Sequence, residues 1–547
     1  MTRALTVLLL ALAACAVPST AVAGQNQEMI LQDDPKVVHA RSDAELKETL
    51  ETIKDLGTDR LRVTVFWQLV APRATSEQPP NFDEHGASDP RSYSQEAWRR
   101  YDRIVFLADK LDLGLLFSVS GPGPAWADRS RRGRVGITRP DPDAFRDFTE
   151  AVGRRYSGDW PTDGSAPADP PKPTATPLLP GSSTPNPRVR RIPRVDHWSI
   201  WNEPDVPGWL IPQFRGRRPV SPHLYRGLVD AAWDGLAKSG HSGDTILLGE
   251  TARRPASSLP PLPTTRVATL RFVRELYCVS ARYRPLRGRS ARARGCPATP
   301  QQRRSFVADH PGLFEAPGWA HHPYTLIEEP DWRGFGPTDP TLGTVNRLGR
   351  ALDRSRRPWG RHRRLPLWIT EFGFQTRPEP FRAVSLARQA AWMSWGEFVA
   401  FRNPRIASYA QFLLNDDAPV PRRSRRTRKA WVTWQSGLRN NAGRPKPALE
   451  EYRHPIFVSP LRPRRGRRVR VFGSLRPAAP NANVPAQIEF RGAGGGWRAL
   501  RAVTARGSRG YVNASVRVPG AGRVRIAFFT PGSGKQVNTR GVFVAPR

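Results

Sequence analysis

Of 547 residues only three are cysteine and three methionine. There is no Cys–His spacing that would hold zinc, and the pair His321-His322 has no other ligand cluster beside it. No apolar run reaches the length of a membrane-spanning helix, so no transmembrane segment is expected. No glycine-rich phosphate loop follows the first strand-like run, which argues against a doubly wound nucleotide-binding sheet. Acidic residues are also scarce, 48 against 86 basic, which leaves a formal net charge of +38.

That excess is almost wholly arginine and falls in separate clusters, among them Arg422-Arg-Ser-Arg-Arg-Thr-Arg428 and Arg462-Pro-Arg-Arg-Gly-Arg-Arg468. The clusters are not interleaved with aromatics, so nucleic acid is not the expected partner. Adsorption to anionic cell-wall polymers is the alternative that such charge supports. A compositional bias toward Arg, Ala, Pro and Gly explains it as well.

The N-terminus resembles a secretion signal. Arg3 precedes an apolar run from Ala4 to Ala14, and Ala21-Val-Ala23 supplies small residues before a cut at Gly24. Residues 1–23 are therefore expected to be a signal peptide and the chain to be secreted. The run Leu12-Ala-Ala-Cys15 admits a second reading, a lipoprotein anchored at Cys15. With the signal removed, Cys278 and Cys296 remain, and an even pair in an exported chain predicts a disulfide.

From about Val37 to Tyr452 strand-like and helical stretches alternate. The strand candidates are Val37–Ala40, Leu61–Trp67, Leu113–Val119, Val195–Trp201, Thr245–Gly249, Gly318–Tyr324, Leu365–Thr370 and Ile406–Leu414. Repeated strand-helix units imply parallel strands, and eight of them over some 400 residues predict a (β/α)8 TIM barrel at 36–455. A Pro-rich stretch at 159–191, between a helix and the fourth strand, reads as a disordered insertion on the face away from a barrel's active site. After Pro460 short alternating runs separated by Gly, Pro and Asn predict a small all-β module at 460–547, an immunoglobulin-like sandwich. A structural role suits it better than carbohydrate binding, because only Trp497 and Tyr511 look available for stacking.

Two motifs carry chemistry. Trp198-Ser-Ile-Trp-Asn-Glu-Pro204 and Leu367-Trp-Ile-Thr-Glu-Phe-Gly373 are apolar runs that each end abruptly in a glutamate. Strand packing needs no carboxylate there. Two carboxyl groups at one rim are what cleavage of a glycosidic bond needs. On strand two, alternation puts Arg62, Thr64 and Phe66 on one face and Leu61, Val63 and Val65 on the other. The apolar set would pack against helices, which turns Arg62 into the barrel. An arginine there needs an anion, and Glu371 is the natural partner.

On these motifs the region from Val37 to Tyr452 resembles the glycoside hydrolase clan A barrels, which include family 5 cellulases and mannanases and family 39 xylosidases. The resemblance implies Glu203 as acid/base and Glu371 as nucleophile. It implies Asn202 as the partner of the sugar 2-hydroxyl, and it matches Arg62 to the strand-two arginine of family 5 and His322-Pro-Tyr324 to the strand-six His-x-Tyr. Trp67, Trp126 and Trp319 are candidate stacking platforms, and Trp201 and Trp209 a candidate apolar wall for Glu203. The third and eighth strands lack the histidine and tryptophan usual in family 5, which leaves the family within the clan open. The expectation is a secreted retaining glycosidase acting on a β-linked glycan, monomeric, with no cofactor or metal. The alternatives are an inactive sugar-binding barrel or a basic surface protein. Sugar, linkage, endo or exo action, and hydrolysis or transfer are not given by the sequence.

Overall fold

The computed structural model describes residues 24, 26–82, 84–130, 136–162, 190–253, 261–478, 483–507, 509–529 and 536–547. The expected signal segment at 1–23 lies outside them, as does most of the insertion at 159–191. The ends of that insertion are tied together: the Thr162 amide donates to the Arg190 carbonyl and the Ile192 amide to that of Trp160, both at 2.9 Å.

Eight parallel strands close into a barrel: β1 (Glu28–Gln32), β2 (Arg60–Phe66), β3 (Gly114–Ser120), β4 (His197–Ile200), β5 (Thr245–Ala252), β6 (Gly318–His322), β7 (Leu367–Ile369) and β8 (Ile406–Phe412). Each pairs with its neighbour in sequence, and β8 pairs back onto β1 with Glu28 opposite Ser408. The principal intervening helices are α1 (Asp43–Asp55), α2 (Gln95–Lys110), α3 (Pro142–Arg155), α4 (Ser221–Lys238), α5 (Thr269–Leu276), α6 (Asn346–Arg356) and α7 (Leu386–Phe401), with α8 (Pro447–Arg453) closing the ring.

The first helix shows how the sequence builds such a unit. Ser42 caps it by accepting from the Glu45 amide at 3.1 Å, and Leu46, Leu50 and Ile53 recur at helical spacing on the buried face. Gly57 ends it with φ +77°, where a Cβ would also collide with the Cβ of Arg476.

Two strand expectations need correction. Val37–Ala40 is not the first strand. Asp33 caps a single helical turn, Asp34–Val37, by accepting from the Lys36 amide, and the chain takes its first strand earlier, at Glu28–Gln32. The fifth strand does not stop at Gly249 but runs to Ala252 through a bulge between Leu248 and Thr251.

The barrel interior is layered. Ile30, Leu116, Leu247, Ala320, Trp368 and Ala410 form an apolar plug. Leu61, Val63 and Val65 face outward into the core shared with the helices, as the alternation on β2 requires. The other face of β2 holds Arg62 inside the barrel among polar groups from the other strands. The catalytic candidates therefore stand above an apolar layer.

The C-terminal strands are β9 (Ile456–Ser459), β10 (Arg468–Ser474), β11 (Asn483–Gly492), β12 (Arg498–Arg506), β13 (Tyr511–Arg517), β14 (Gly522–Phe529), β15 (Gln536–Asn538) and β16 (Val542–Val544). They form one antiparallel sheet in the order β9-β10-β13-β12-β11-β14-β15, with β16 also on β14. The sheet curls over its own core of Val469, Val471, Ile488, Val524 and Ile526, giving the small β-sandwich expected. It is packed onto α7 through Phe398, Phe401, Phe472 and Tyr511. Beneath that cluster Arg476 makes two bonds to Glu397, at 2.8 and 3.1 Å, and Tyr511 donates to the same carboxylate at 3.1 Å. Tyr511 is thus an interface residue and not a surface stacking platform. The guanidinium groups of Arg491 and Arg525 lie over the Trp497 ring, at 4.9 and 4.2 Å from its centre.

Cys278 and Cys296 form a disulfide with Cα atoms 5.6 Å apart. Among the described residues no helix is long and apolar enough to cross a membrane.

Candidate active site

Glu203 and Glu371 meet at the carboxyl end of the barrel, where the loops after strands build active sites in this architecture. Glu203 follows β4 by three residues. The backbone is left-handed at Trp201 (φ +63°) and again at Glu203 (φ +36°), which swings the carboxylate out of the strand direction. The Glu203 amide donates to the Glu250 carbonyl at 2.9 Å and fixes the loop. Glu371 follows β7 by two residues and is largely buried.

Arg62 organises the floor and is fully buried. Its Nη1 donates to Glu371 Oε1 at 2.8 Å and also to Gln32. Its Nη2 donates to Asn202 Oδ1 at 2.9 Å, and its Nε to Glu250 Oε1 at 3.3 Å. The expected Arg62–Glu371 pair is present. Tyr324 donates its hydroxyl to Glu371 Oε2 at 3.1 Å. Burial, reinforced by the charges of Glu371 and Glu203, lifts the Tyr324 phenol well above its usual range, so it stays a donor.

Glu250 was not singled out in the sequence, and the site turns on it. It is buried with no exposure, accepts from Arg62 and Thr370, and lies 2.6 Å from His322 Nε2. A bulge places it there. Gly249 has φ +100°, and a Cβ on it would sit 2.4 Å from the Trp319 ring, so only glycine lets β5 buckle against β6 and re-aim the next side chain. The readable signal was the motif itself, since Ile246-Leu-Leu-Gly-Glu250 is a third apolar run that ends in a glutamate.

His322 stands between two carboxylates, with Nδ1 3.1 Å from Glu203 and Nε2 2.6 Å from Glu250. Burial opposes its charge, but Glu371, Glu203 and Glu250 overcome this and raise its pKa to about 10. Glu250 is also opposed by burial, yet Arg62 and His322 draw it down to about 2. Burial pushes Glu371 up, against the pull of His322 and Arg62. Two fixed cations therefore face three carboxylates. Of the three, Glu250 is held ionised, whereas burial and the like charges of Glu203 and Glu250 favour the protonated form at Glu371.

Glu203, His322 and Glu371 each bring one potential ligand atom within 4.8 Å of the others. Both nitrogens of His322 face carboxylates, an arrangement that favours an imidazolium over the neutral ring a metal ligand needs.

Trp67 and Trp319 are fully buried. Trp67 packs on Phe145 and Phe148 at 5.4 and 5.6 Å, so it is core and not the stacking platform expected of a strand-end aromatic. Trp201 is likewise turned inward, with its ring against Phe145 and its indole nitrogen donating to the Trp209 carbonyl. Trp126 is half-buried, edge-on to Trp67 and Phe82, and donates to the Pro72 carbonyl. The aromatics that do line the open cleft are Tyr324, Phe381, Trp431 and Trp434, with Trp434 4.8 Å from Tyr324. Trp434 lies in the long segment after β8, and nothing in its local sequence marked it.

No protein-family model matches this chain, and no curated protein does. Among solved structures it is similar to GH5_18 from Streptomyces cattleya in complex with GlcNAc, at 14% identity and TM-score 0.41 over 78% of this chain and 79% of that one. It is also similar to AbfB, a family 51 α-L-arabinofuranosidase from Bifidobacterium longum (11% identity, TM-score 0.43, 91% of this chain and 97% of that one). A third is the β-glucosidase from Trichoderma harzianum, at 14% identity and TM-score 0.42, with 79% and 97% covered. Likeness at this level carries no inference about substrate or mechanism.

Proposed function

We propose that the protein is a secreted retaining glycoside hydrolase that cleaves a β-linked glycan by double displacement. The observation that carries this reading is the spacing of the two glutamates at one rim. An oxygen of Glu203 and one of Glu371 lie within 4.8 Å. Retaining enzymes hold their carboxyl groups about 5–5.5 Å apart, whereas inverting ones leave ~6.5–9.5 Å for an intervening water.

In this reading Glu371 is the nucleophile. Both its oxygens accept from donors, Arg62 on Oε1 and Tyr324 on Oε2, and such bonds favour the carboxylate over the acid. One proton balances the two cations against the three carboxylates, and in this reading it sits on Glu203, whose side chain reaches the open cleft. Glu371 attacks the anomeric carbon while Glu203 protonates the departing glycosidic oxygen. Tyr324 releases its bond as the carboxylate becomes an ester. Glu203, now ionised, takes a proton from water, which then displaces Glu371 from the anomeric carbon. In this reading Asn202, held by Arg62, meets the sugar 2-hydroxyl. His322 and Glu250 act by charge: the first limits the repulsion between the two glutamates, and the second adds to the pull of Glu371 and Glu203 that keeps the first protonated. The packing of the β-sandwich on α7 supports a structural role for the C-terminal module.

The test is hydrolysis of a panel of aryl β-glycosides and β-glycans, with the first product examined by NMR. Release of the β-anomer supports the reading. The α-anomer first, or no turnover alongside retained sugar binding, contradicts it, and the second outcome favours an inactive sugar-binding barrel.

A further inference from the structure

The cleft above Glu203 has a volume of about 550 Å³ and is lined by four arginines, Arg253, Arg266, Arg382 and Arg428, against two glutamates, Glu203 and Glu379. Arg266, Arg382 and Arg428 are exposed along its walls. Their surroundings set them apart from the scattered surface arginines of a strongly basic chain. The Arg253 amide donates to the carbonyl of His322, so this residue is anchored beside the catalytic cluster. Its guanidinium is clamped by Asp339, with Nε 2.6 Å from Oδ1, and lies over Trp332 and Phe335. Glu379 is buried and accepts from the amides of Phe381 and Arg382 at 2.9 and 2.5 Å, which fixes the loop carrying that arginine. Arg428 stacks over Phe381 at 5.2 Å. The arginine run at 422–428, which composition alone would explain, thus ends on the wall of this cleft. Of the two lining acids, Glu203 carries the shared proton in the proposed ground state and Glu379 is spent on backbone amides. The cleft therefore presents net positive charge to whatever enters. Guanidinium groups are matched in geometry and charge to carboxylate and sulfate.

We infer that the glycan cut here is anionic, a β-linked chain whose carboxylate or sulfate groups are met by Arg266, Arg382 and Arg428 while its sugar faces lie on Phe381, Trp431 and Trp434. This rests on the glycosidase reading and adds the substrate class to it.

The test uses matched pairs: hyaluronan oligosaccharides against their carboxyl-reduced form, and chondroitin 4-sulfate against unsulfated chondroitin. Binding to full-length Glu203→Gln protein is measured by calorimetry, so that turnover does not interfere. At least one acidic member should bind about tenfold tighter than its matched partner, and the pair that shows the difference identifies the anion recognised. Arg266→Gln/Arg428→Gln should lose about tenfold in affinity for that ligand. Arg468→Gln/Arg470→Gln, which removes the same charge from the C-terminal sheet, should change it less than twofold. Equal affinity within both pairs, or equal loss in the two double variants, overturns the inference. Acid-selective binding without hydrolysis of any glycoside by the wild-type protein would sink the glycosidase reading alone.

Discussion

Glu250→Gln changes one atom at the base of the cluster and tests the charge balance proposed for it. In the wild type Arg62 and His322 face Glu203, Glu250 and Glu371, and neutrality leaves one proton for the glutamate pair. With Gln at 250 two cations face two carboxylates, and that proton is no longer required. Glu250 and Glu203 are separated by one imidazole and its two hydrogen bonds, at 2.6 and 3.1 Å. Unit charges so placed interact by on the order of 2 kcal/mol at an effective dielectric near 20, which is about 1.5 pH units. The general acid should accordingly lose its proton at lower pH, and the alkaline limb of the kcat/KM profile should move down by about one to two units. The assay is a pH profile on an aryl β-glycoside with a poor leaving group, phenyl for instance, because its departure depends on the acid. Circular dichroism establishes that the variant is folded. An alkaline limb that stays in place or moves up in a folded Glu250→Gln protein would refute the charge-balance reasoning.

Four further outcomes are expected. Because the folded-state pKa of His322 is raised to about 10, its contribution to stability is full below its unfolded value near 6.5 and is lost as pH rises through 10. Urea midpoints should fall between pH 7 and 10 and fall less steeply in His322→Gln. Glu250 is lowered to about 2, so its contribution is present above pH 4.5 and lost as pH falls toward 2; Glu250→Gln should flatten the acid side of the same curve. Arg476→Ala leaves Glu397 buried without its bidentate partner and should destabilise the whole protein by about 3–5 kcal/mol, with barrel and sheet melting together; a loss under ~1 kcal/mol, or two separate transitions, would show that the two parts are independent. Thiol titration of the unreduced, unfolded, exported protein should find no free thiol, because Cys278 and Cys296 are paired.

Much of the site was legible because it breaks the rules of packing. A glutamate that ends an apolar strand has no structural reason to be there, and this marked Glu203 and Glu371. Alternation on β2 placed Arg62 inside the barrel without further information. Glu250 escaped because Gly249 read as a strand terminator when it is a bulge, a backbone device that sequence periodicity does not register. The first strand was misplaced for a related reason: Val37 and Val38 have strand-like side chains, but Asp33 and Pro35 start a helical turn there. The tryptophans misled in the opposite direction. Trp67 and Trp201 stand at strand ends, where stacking platforms occur, yet both turn into the core, and position in sequence does not distinguish the two orientations. Trp434 and the arginines of the cleft come from long loops whose paths are set by tertiary contacts.

The roles of Glu203 and Glu371 are separated most directly by azide rescue on an activated aryl β-glycoside. In Glu203→Ala the glycosyl-enzyme still forms, since a good leaving group needs little protonation, and azide attacks it without a general base to give a β-glycosyl azide. In Glu371→Ala no such intermediate forms, and azide in the vacated space should give the α-azide instead. β-Azide from the first variant and α-azide from the second is the predicted result; azides of one configuration from both, or full activity in either variant, would contradict it.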